Sequence, residues 1–366
     1  MTKNNRKYYI DLEVIILMSF FAQFFYSFPM LKSLQTIFEF SIFGFLVLKA
    51  FYYKYTVIEI LLVISFFFFS ILSFFINDFD VFLVNFKNTG IGIFSLLYFL
   101  KHKYKSRLIS CIFIISVVMI LINKLVPGCF SFLSKFSRFS DFNEHRFGGI
   151  FFNTHFNGSF IGLYILSYYF RLIIFAISLI IMYLTGSKYN LFAYFMQTIM
   201  QPLIVFFKRH KIILLTILSI FIYLFIHYLM KLIFNYCNNE KLVSFAQIFL
   251  QLLDFNNYKT FLLKIIPGDY LKDMYKVSIS SEYAADLLFN SGTNEVGIFT
   301  FFYQSGTITA ILYIWILLKN MNKKKKLFIV ITFMHYLFIT NPLILYLCMS
   351  DFNCSKNRKK QVKRLF

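Results

Sequence analysis

Apolar runs of about 20 residues, separated by short charged or Pro/Gly-containing breaks, recur along nearly the whole chain. They lie near 8–28, 34–53, 56–76, 80–100, 108–126, 150–170, 172–185, 189–207, 212–234 and 296–318. A helix of about 20 residues crosses the hydrocarbon core of a bilayer, so each run predicts a span. The sixth and seventh are separated only by Arg171. A further apolar segment, 327–348, is interrupted by Asn341-Pro342. Proline disfavours helical geometry at the residue before it, which predicts two short helices in a hairpin rather than an eleventh full span. The predicted fold is all-α: a polytopic integral membrane protein with about 10–11 transmembrane helices, forming a single domain over 1–366. Loops occupy 127–149 and 235–295, and a basic tail 351–366. Inside the larger loop, apolar positions 242, 245, 246, 249, 250, 252 and 253 suit a helix lying on the membrane surface, and Pro267-Gly268-Asp269 marks a turn. The first run has no small-residue cleavage site and reads as a retained helix.

Charge orients these spans. Lys3, Arg6 and Lys7, Lys49 and Lys54, Lys101 to Arg107, Arg171, Lys208 to Lys211, and Lys319 with Lys323 to Lys326 fall on alternate connections, the cytoplasmic side by the positive-inside rule. Asp78, Asp80, Asp141, Glu144 and the acids from Glu240 to Glu295 put 11 of the 16 carboxylates on the opposite side, so both long loops are external. The hairpin at 327–348 returns the basic tail to the cytoplasm. Of 366 residues, 59% are hydrophobic and 14% charged, which excludes a water-soluble globule: no single core hides 54 Phe and 25 Tyr from water. The net charge of +21 would suggest nucleic acid in a soluble chain. Here the cations sit at loop anchors, so the partner is the bilayer and nucleic acid is set aside. Five cysteines without a CxxC pair or a histidine at zinc-ligand spacing make a structural metal site an unsuitable reading.

Ionisable and amide side chains inside a bilayer must face protein or a water-filled cavity, so their alignment marks candidate sites. The richest stretch runs from His145 to Gly158. Read as a helix, it places Arg146, Gly149, Asn153 and Asn157 at spacings of 3, 4 and 4 on one face, with the cation at the outer end. Such a face suits a phosphate above and sugar hydroxyls below; it equally suits close packing between spans. A second stripe begins after Thr185-Gly186-Ser187-Lys188, where Ser187, Asn190, Tyr194, Gln197 and Gln201 recur at 3, 4, 3 and 4. Free N–H groups at a helix start favour an anion and Lys188 adds a charge; the alternative is an N-cap with a snorkelling lysine. Lys87 with Asn85, Asn88 and Thr89 forms a third cluster. Asp78-Phe79-Asp80 matches the DxD pattern by which some glycosyltransferases hold a metal, but three residues are a weak signal and a short solvated turn is the better reading.

Three passages carry a family resemblance. Arg146-Phe-Gly-Gly-Ile-Phe-Phe-Asn-Thr-His-Phe-Asn157, then Tyr183-Leu-Thr-Gly-Ser-Lys188, then Ser291-Gly-Thr-Asn-Glu295 leading to Gln304-Ser-Gly306, resemble in this order the superfamily of O-antigen polymerases and O-antigen ligases. These are membrane glycosyltransferases acting on undecaprenyl-pyrophosphate-linked sugars. The likeness covers 141–320. Lys188 stands where the family usually has arginine and supplies a point charge rather than a bidentate grip. Thr293 stands where the ligases have histidine, which favours polymerase over ligase.

The resemblance implies a polysaccharide polymerase of O-antigen or capsule type in the bacterial cytoplasmic membrane. Its donor and acceptor are undecaprenyl-pyrophosphate-linked glycans, a chain-length regulator is a candidate partner, and neither cofactor nor metal is required. The departing pyrophosphate gathers negative charge, and fixed cations help most there. Arg146 and Lys188 are the expected clamp, assisted by Arg138. The acceptor hydroxyl needs a base: Glu295 leads, with Glu282 and Asp286 next. Asn153, Asn157, Ser187, Asn190 and Gln197 are the expected substrate-binding groups. An O-antigen ligase is the nearest alternative. From another class, a lipid-linked oligosaccharide flippase or transporter would show internal repeats and short outer loops, against which the 61-residue stretch 235–295 speaks. A membrane acyltransferase would rest on His155 alone.

Overall fold

The computed structural model describes residues 3–102, 105–137, 147, 149–168, 172–187, 190–198, 228, 231, 265–268, 297–335 and 339–350. Among them every regular element is helical. The helices are α1 (Lys3–Tyr26), α2 (Lys32–Ala50), α3 (Val57–Ile76), α4 (Phe79–Lys101), α5 (Leu108–Leu125), α6 (Thr154–Tyr168) and α7 (Leu172–Leu184), and then α8 over 190–198. After these come α9 (Gly297–Ser305), α10 (Thr307–Asn320), α11 (Lys323–His335) and α12 (Pro342–Met349). Helices α1 to α5 are each long and apolar enough to cross a bilayer, and the chain is a multi-pass membrane protein. The predicted span 212–234, the surface helix near 242–253 and the basic tail 351–366 lie outside the described residues.

Several charged side chains within these helices are paired with one another, as suits the cost of an isolated charge in hydrocarbon. At the end bearing the basic loops, Lys49 meets Asp11 at 2.5 Å and Lys101 meets Glu59 at 2.8 Å. Glu59 also closes a capping box with Thr56 at the start of α3, accepting from the Thr56 N–H at 2.8 Å. Glu13 of α1 caps α5 from a distance in sequence, accepting from Ser106 Oγ at 2.7 Å and Arg107 N at 2.9 Å. Deeper in the bundle, Lys87 of α4 pairs with Glu39 of α2. With the basic loops cytoplasmic, that pair sits roughly 10 Å below the outer end of α2.

The apolar segment at 327–348 is a hairpin. Buried Lys325, near the start of α11, donates to the carbonyls of Leu347 and Ser350 at the end of α12. This contact brings the chain back to the side it left. Asn341 caps α12 by accepting from Leu343 N at 2.9 Å, with Pro342 at the first helical position, where its missing N–H costs nothing. Short as it is, α12 is thoroughly enclosed: all seven residues from Pro342 to Cys348 are buried, between α1, α4 and α6.

Two expectations are corrected. The span expected over 296–318 is two helices, α9 and α10, divided at Gly306, whose φ is +77°. Ile265 O would lie 2.3 Å from a Cβ there, so only glycine permits both the turn and the approach of the 265–268 segment. The span expected from 150 begins instead with a 3-10 turn, Gly149–Phe151, then Phe152 at φ 53°, and α6 starts at Thr154.

Candidate functional site

The first polar stripe is consequently not one helical face. Asn153 is the cap of α6: its Oδ1 accepts from Phe156 N at 2.9 Å and its carbonyl from Asn157 N at 2.9 Å. Asn157 faces α5, where its Oδ1 accepts from Ser116 Oγ at 2.7 Å. Its amide Nδ2 has no partner among the described residues although buried, and neither has the buried Thr154 hydroxyl. Each unpaired buried polar atom costs roughly 1–3 kcal/mol unless something supplies the missing bond.

The second stripe, apart from Gln201, which lies outside the described residues, stays together and turns to protein. Ser187, Asn190, Tyr194 and Gln197 are all buried. Asn190 Nδ2 donates to His155 O at 2.7 Å and to Ser187 Oγ at 2.9 Å, while its Oδ1 accepts from Ser159 Oγ at 3.0 Å. Ser187 Oγ also lies 3.2 Å from His155 Nδ1. Lower on the same helix, Gln197 Oε1 accepts from Phe328 N at 3.1 Å and ties α8 to α11. The start of α6 and the start of α8 thus form one buried knot of neutral donors and acceptors. No family model, curated protein or solved structure matches the chain.

The knot depends on Gly158. A Cβ at that position would lie 2.5 Å from Asn190 Nδ2, so the absent side chain is what lets the amide settle on α6. The face of α6 that meets α8 and α11 is therefore His155, Gly158, Ser159 and Gly162, at i, i+3, i+4 and i+7. This face was present in the sequence as a small and polar stripe in a register different from the one through Asn153 and Asn157. His155, which is not among the expected substrate-binding groups, belongs to its centre.

Arg138, Arg146, Lys188, Glu282, Asp286 and Glu295 lie outside the described residues. Of the expected substrate-binding groups, Ser187 and Asn190 are joined directly; Asn157 turns away to α5, Asn153 caps α6, and Gln197 is two turns away on α8. The described part of the knot carries no charged side chain, so it is equipped to recognise hydroxyls and amides, not to neutralise a pyrophosphate. Among the described residues no three His, Cys, Asp or Glu side chains gather at a spacing that holds a metal ion.

Proposed function

We propose that this protein is a membrane glycosyltransferase that polymerises undecaprenyl-pyrophosphate-linked oligosaccharide repeat units at the outer face of the bacterial cytoplasmic membrane. The observation that carries the reading is the neutral polar knot. Two of the three passages resembling the O-antigen polymerase and ligase superfamily meet there, His155 against Ser187, with the neighbouring Asn190 and Ser159 completing the knot. Beside it, Asn157 Nδ2 and Thr154 Oγ1 are unpaired among the described residues, and these are the group types that a sugar hydroxyl satisfies.

In the proposed reaction the acceptor hydroxyl attacks the anomeric carbon of the lipid-linked chain. The bond from that carbon to the pyrophosphate oxygen breaks, its electron pair leaves with the lipid pyrophosphate, and the hydroxyl proton passes to a carboxylate. Arg146 and Lys188 stabilise the leaving charge, with Arg138 assisting, and Glu295, or else Glu282 or Asp286, takes the proton. The glycan profile of a deletion strain tests the class. A polymerase deletion leaves single repeat units on the carrier lipid or on the final acceptor. A ligase deletion instead leaves long chains on the carrier, and a flippase deletion traps single units on the cytoplasmic leaflet. Normal long surface chains in a strain without a second copy would end the polymerase reading.

A further inference from the structure

Away from the knot, the 265–268 segment is seated between α3, α4 and the break at Gly306. The Pro267 carbonyl accepts from Ser73 Oγ at 3.3 Å and Asn77 Nδ2 at 2.8 Å, and the Gly268 carbonyl accepts from Asn85 Nδ2 at 2.9 Å. Gly268 N in turn donates to Tyr303 O at 3.1 Å. Beneath the turn lies a narrow cleft, with the turn in place wide enough for about one water molecule, whose polar lining includes Ser70, Thr89, Asn85 and Gln304. Among the described residues, Ser70, Thr89 and Gln304 find no side-chain hydrogen-bond partner, although Ser70 and Thr89 are more than nine-tenths buried. No charged residue is among those lining the cleft. Its unused valences are hydroxyl and amide groups, and the donors of Asn77 and Asn85 that reach the turn hold backbone carbonyls.

We propose that this cleft is a binding site for an uncharged sugar unit and that the 265–268 turn is the strap that fills it at rest. The oxygens of Pro267 and Gly268 then stand where sugar hydroxyl oxygens accept from Ser73, Asn77 and Asn85 once the strap lifts. Lifting exposes Ser70, Thr89 and Gln304 to the same ligand. Irregular backbone beside spans is tolerated only where it is buried in protein or lines a wet cavity, and exchanging two carbonyls for sugar oxygens keeps the donors of Ser73, Asn77 and Asn85 satisfied in both states. The absence of charge separates this site from a pyrophosphate clamp: it reads the glycan and not its anchor. The choice of a sugar as ligand rests on the function proposed above.

The test uses the purified full-length protein in lipid nanodiscs, with Cys111, Cys129, Cys237, Cys348 and Cys354 replaced by serine and Pro267→Cys as reporter. The rate of reaction with a membrane-impermeant maleimide is measured alone, with the undecaprenyl-pyrophosphate-linked repeat unit extracted from the source strain, and with undecaprenyl phosphate. Gln304→Cys, beneath the strap, is the second reporter should the first fail to fold. The strap predicts slow labelling at rest. The rate rises roughly tenfold or more when Asn77→Ala and Asn85→Ala remove two of its anchors, and rises with the repeat unit but not with undecaprenyl phosphate. A rate unaffected by the repeat unit, or raised equally by the sugar-free lipid, overturns the proposal. Chain elongation with an unresponsive strap would keep the polymerase and remove the cleft. A sugar-dependent response without elongation would keep the cleft and remove the polymerase.

Discussion

The two ends of the bundle are held by different chemistry. At the end with the basic loops, full charges meet: Asp11 with Lys49, Glu59 with Lys101, and Glu13 with the N–H groups that open α5. Toward the opposite end one ion pair, Lys87 with Glu39, lies below the surface, and the contacts that join distant segments of the chain there are neutral: Ser27 Oγ to Phe151 O at 2.6 Å, Asn77 and Asn85 to the 265–268 turn, and the knot around Asn190. Partly buried ion pairs resist exchange, since removing one partner strands the other charge. Neutral hydrogen bonds are individually worth about 1 kcal/mol and are readily traded for those of a ligand. The comparison places the fixed frame at the end with the basic loops and the exchangeable surface at the opposite end.

The largest expected effect comes from the fixed end. Glu59→Ala removes both the capping box and the partner of Lys101, and should lower stability by about 3–5 kcal/mol, read as a fall in melting temperature in detergent. An unchanged melting temperature would mean that the charged end is not the frame. At the opposite end, Gly158→Ala forces Asn190 off α6 and should cost about 1–3 kcal/mol. Because it spoils the knot, its effect on product formed per folded molecule should exceed its effect on melting, the reverse of Glu59→Ala. Equal effects of the two substitutions on both readouts would erase the contrast.

A smaller effect is pH-dependent. His102, just past α4, is bonded to Tyr53, and burial lowers its pKa from 6.5 to about 4, Asp11 opposing this and Lys49 adding to it. The folded protein then holds fewer protons than the unfolded chain between those values, so stability rises with pH across that window and is lost as pH falls from about 6.5 toward 4. His102→Gln should flatten this slope in melting curves taken between those limits; an unaltered slope would assign it to other groups.

Hydropathy made the spans legible because exposure to lipid is what it measures: α2 to α5 begin and end within three residues of the apolar runs. Asn341-Pro342 announced the hairpin by local stereochemistry alone. The features that escaped depend on partners far apart in sequence or on single backbone angles. The break at Gly306 is set by Ile265, 41 positions away in the chain, and an apolar run containing one glycine carries no trace of it. The stripe through Arg146, Gly149, Asn153 and Asn157 assumed continuous helix, whereas the positive φ of Phe152 restarts the chain and Asn153 caps α6. Spacing then found polar residues without finding their register: Asn157 went to α5, while the less conspicuous His155, Gly158 and Ser159 received Asn190.

The polymerase reading is tested most directly by chain elongation in vitro with purified lipid-linked repeat units, scored per folded molecule. Wild type should build chains, and Arg146→Ala should lose roughly 10²-fold or more in turnover with its melting temperature retained. Arg146→Lys should stay impaired, because a point charge does not replace a planar fork, and Lys188→Arg should be tolerated. Wild-type turnover in Arg146→Ala, or lost turnover explained wholly by lost folded protein, would contradict the clamp; no elongation by the wild-type protein on its own strain's repeat units would contradict the polymerase itself.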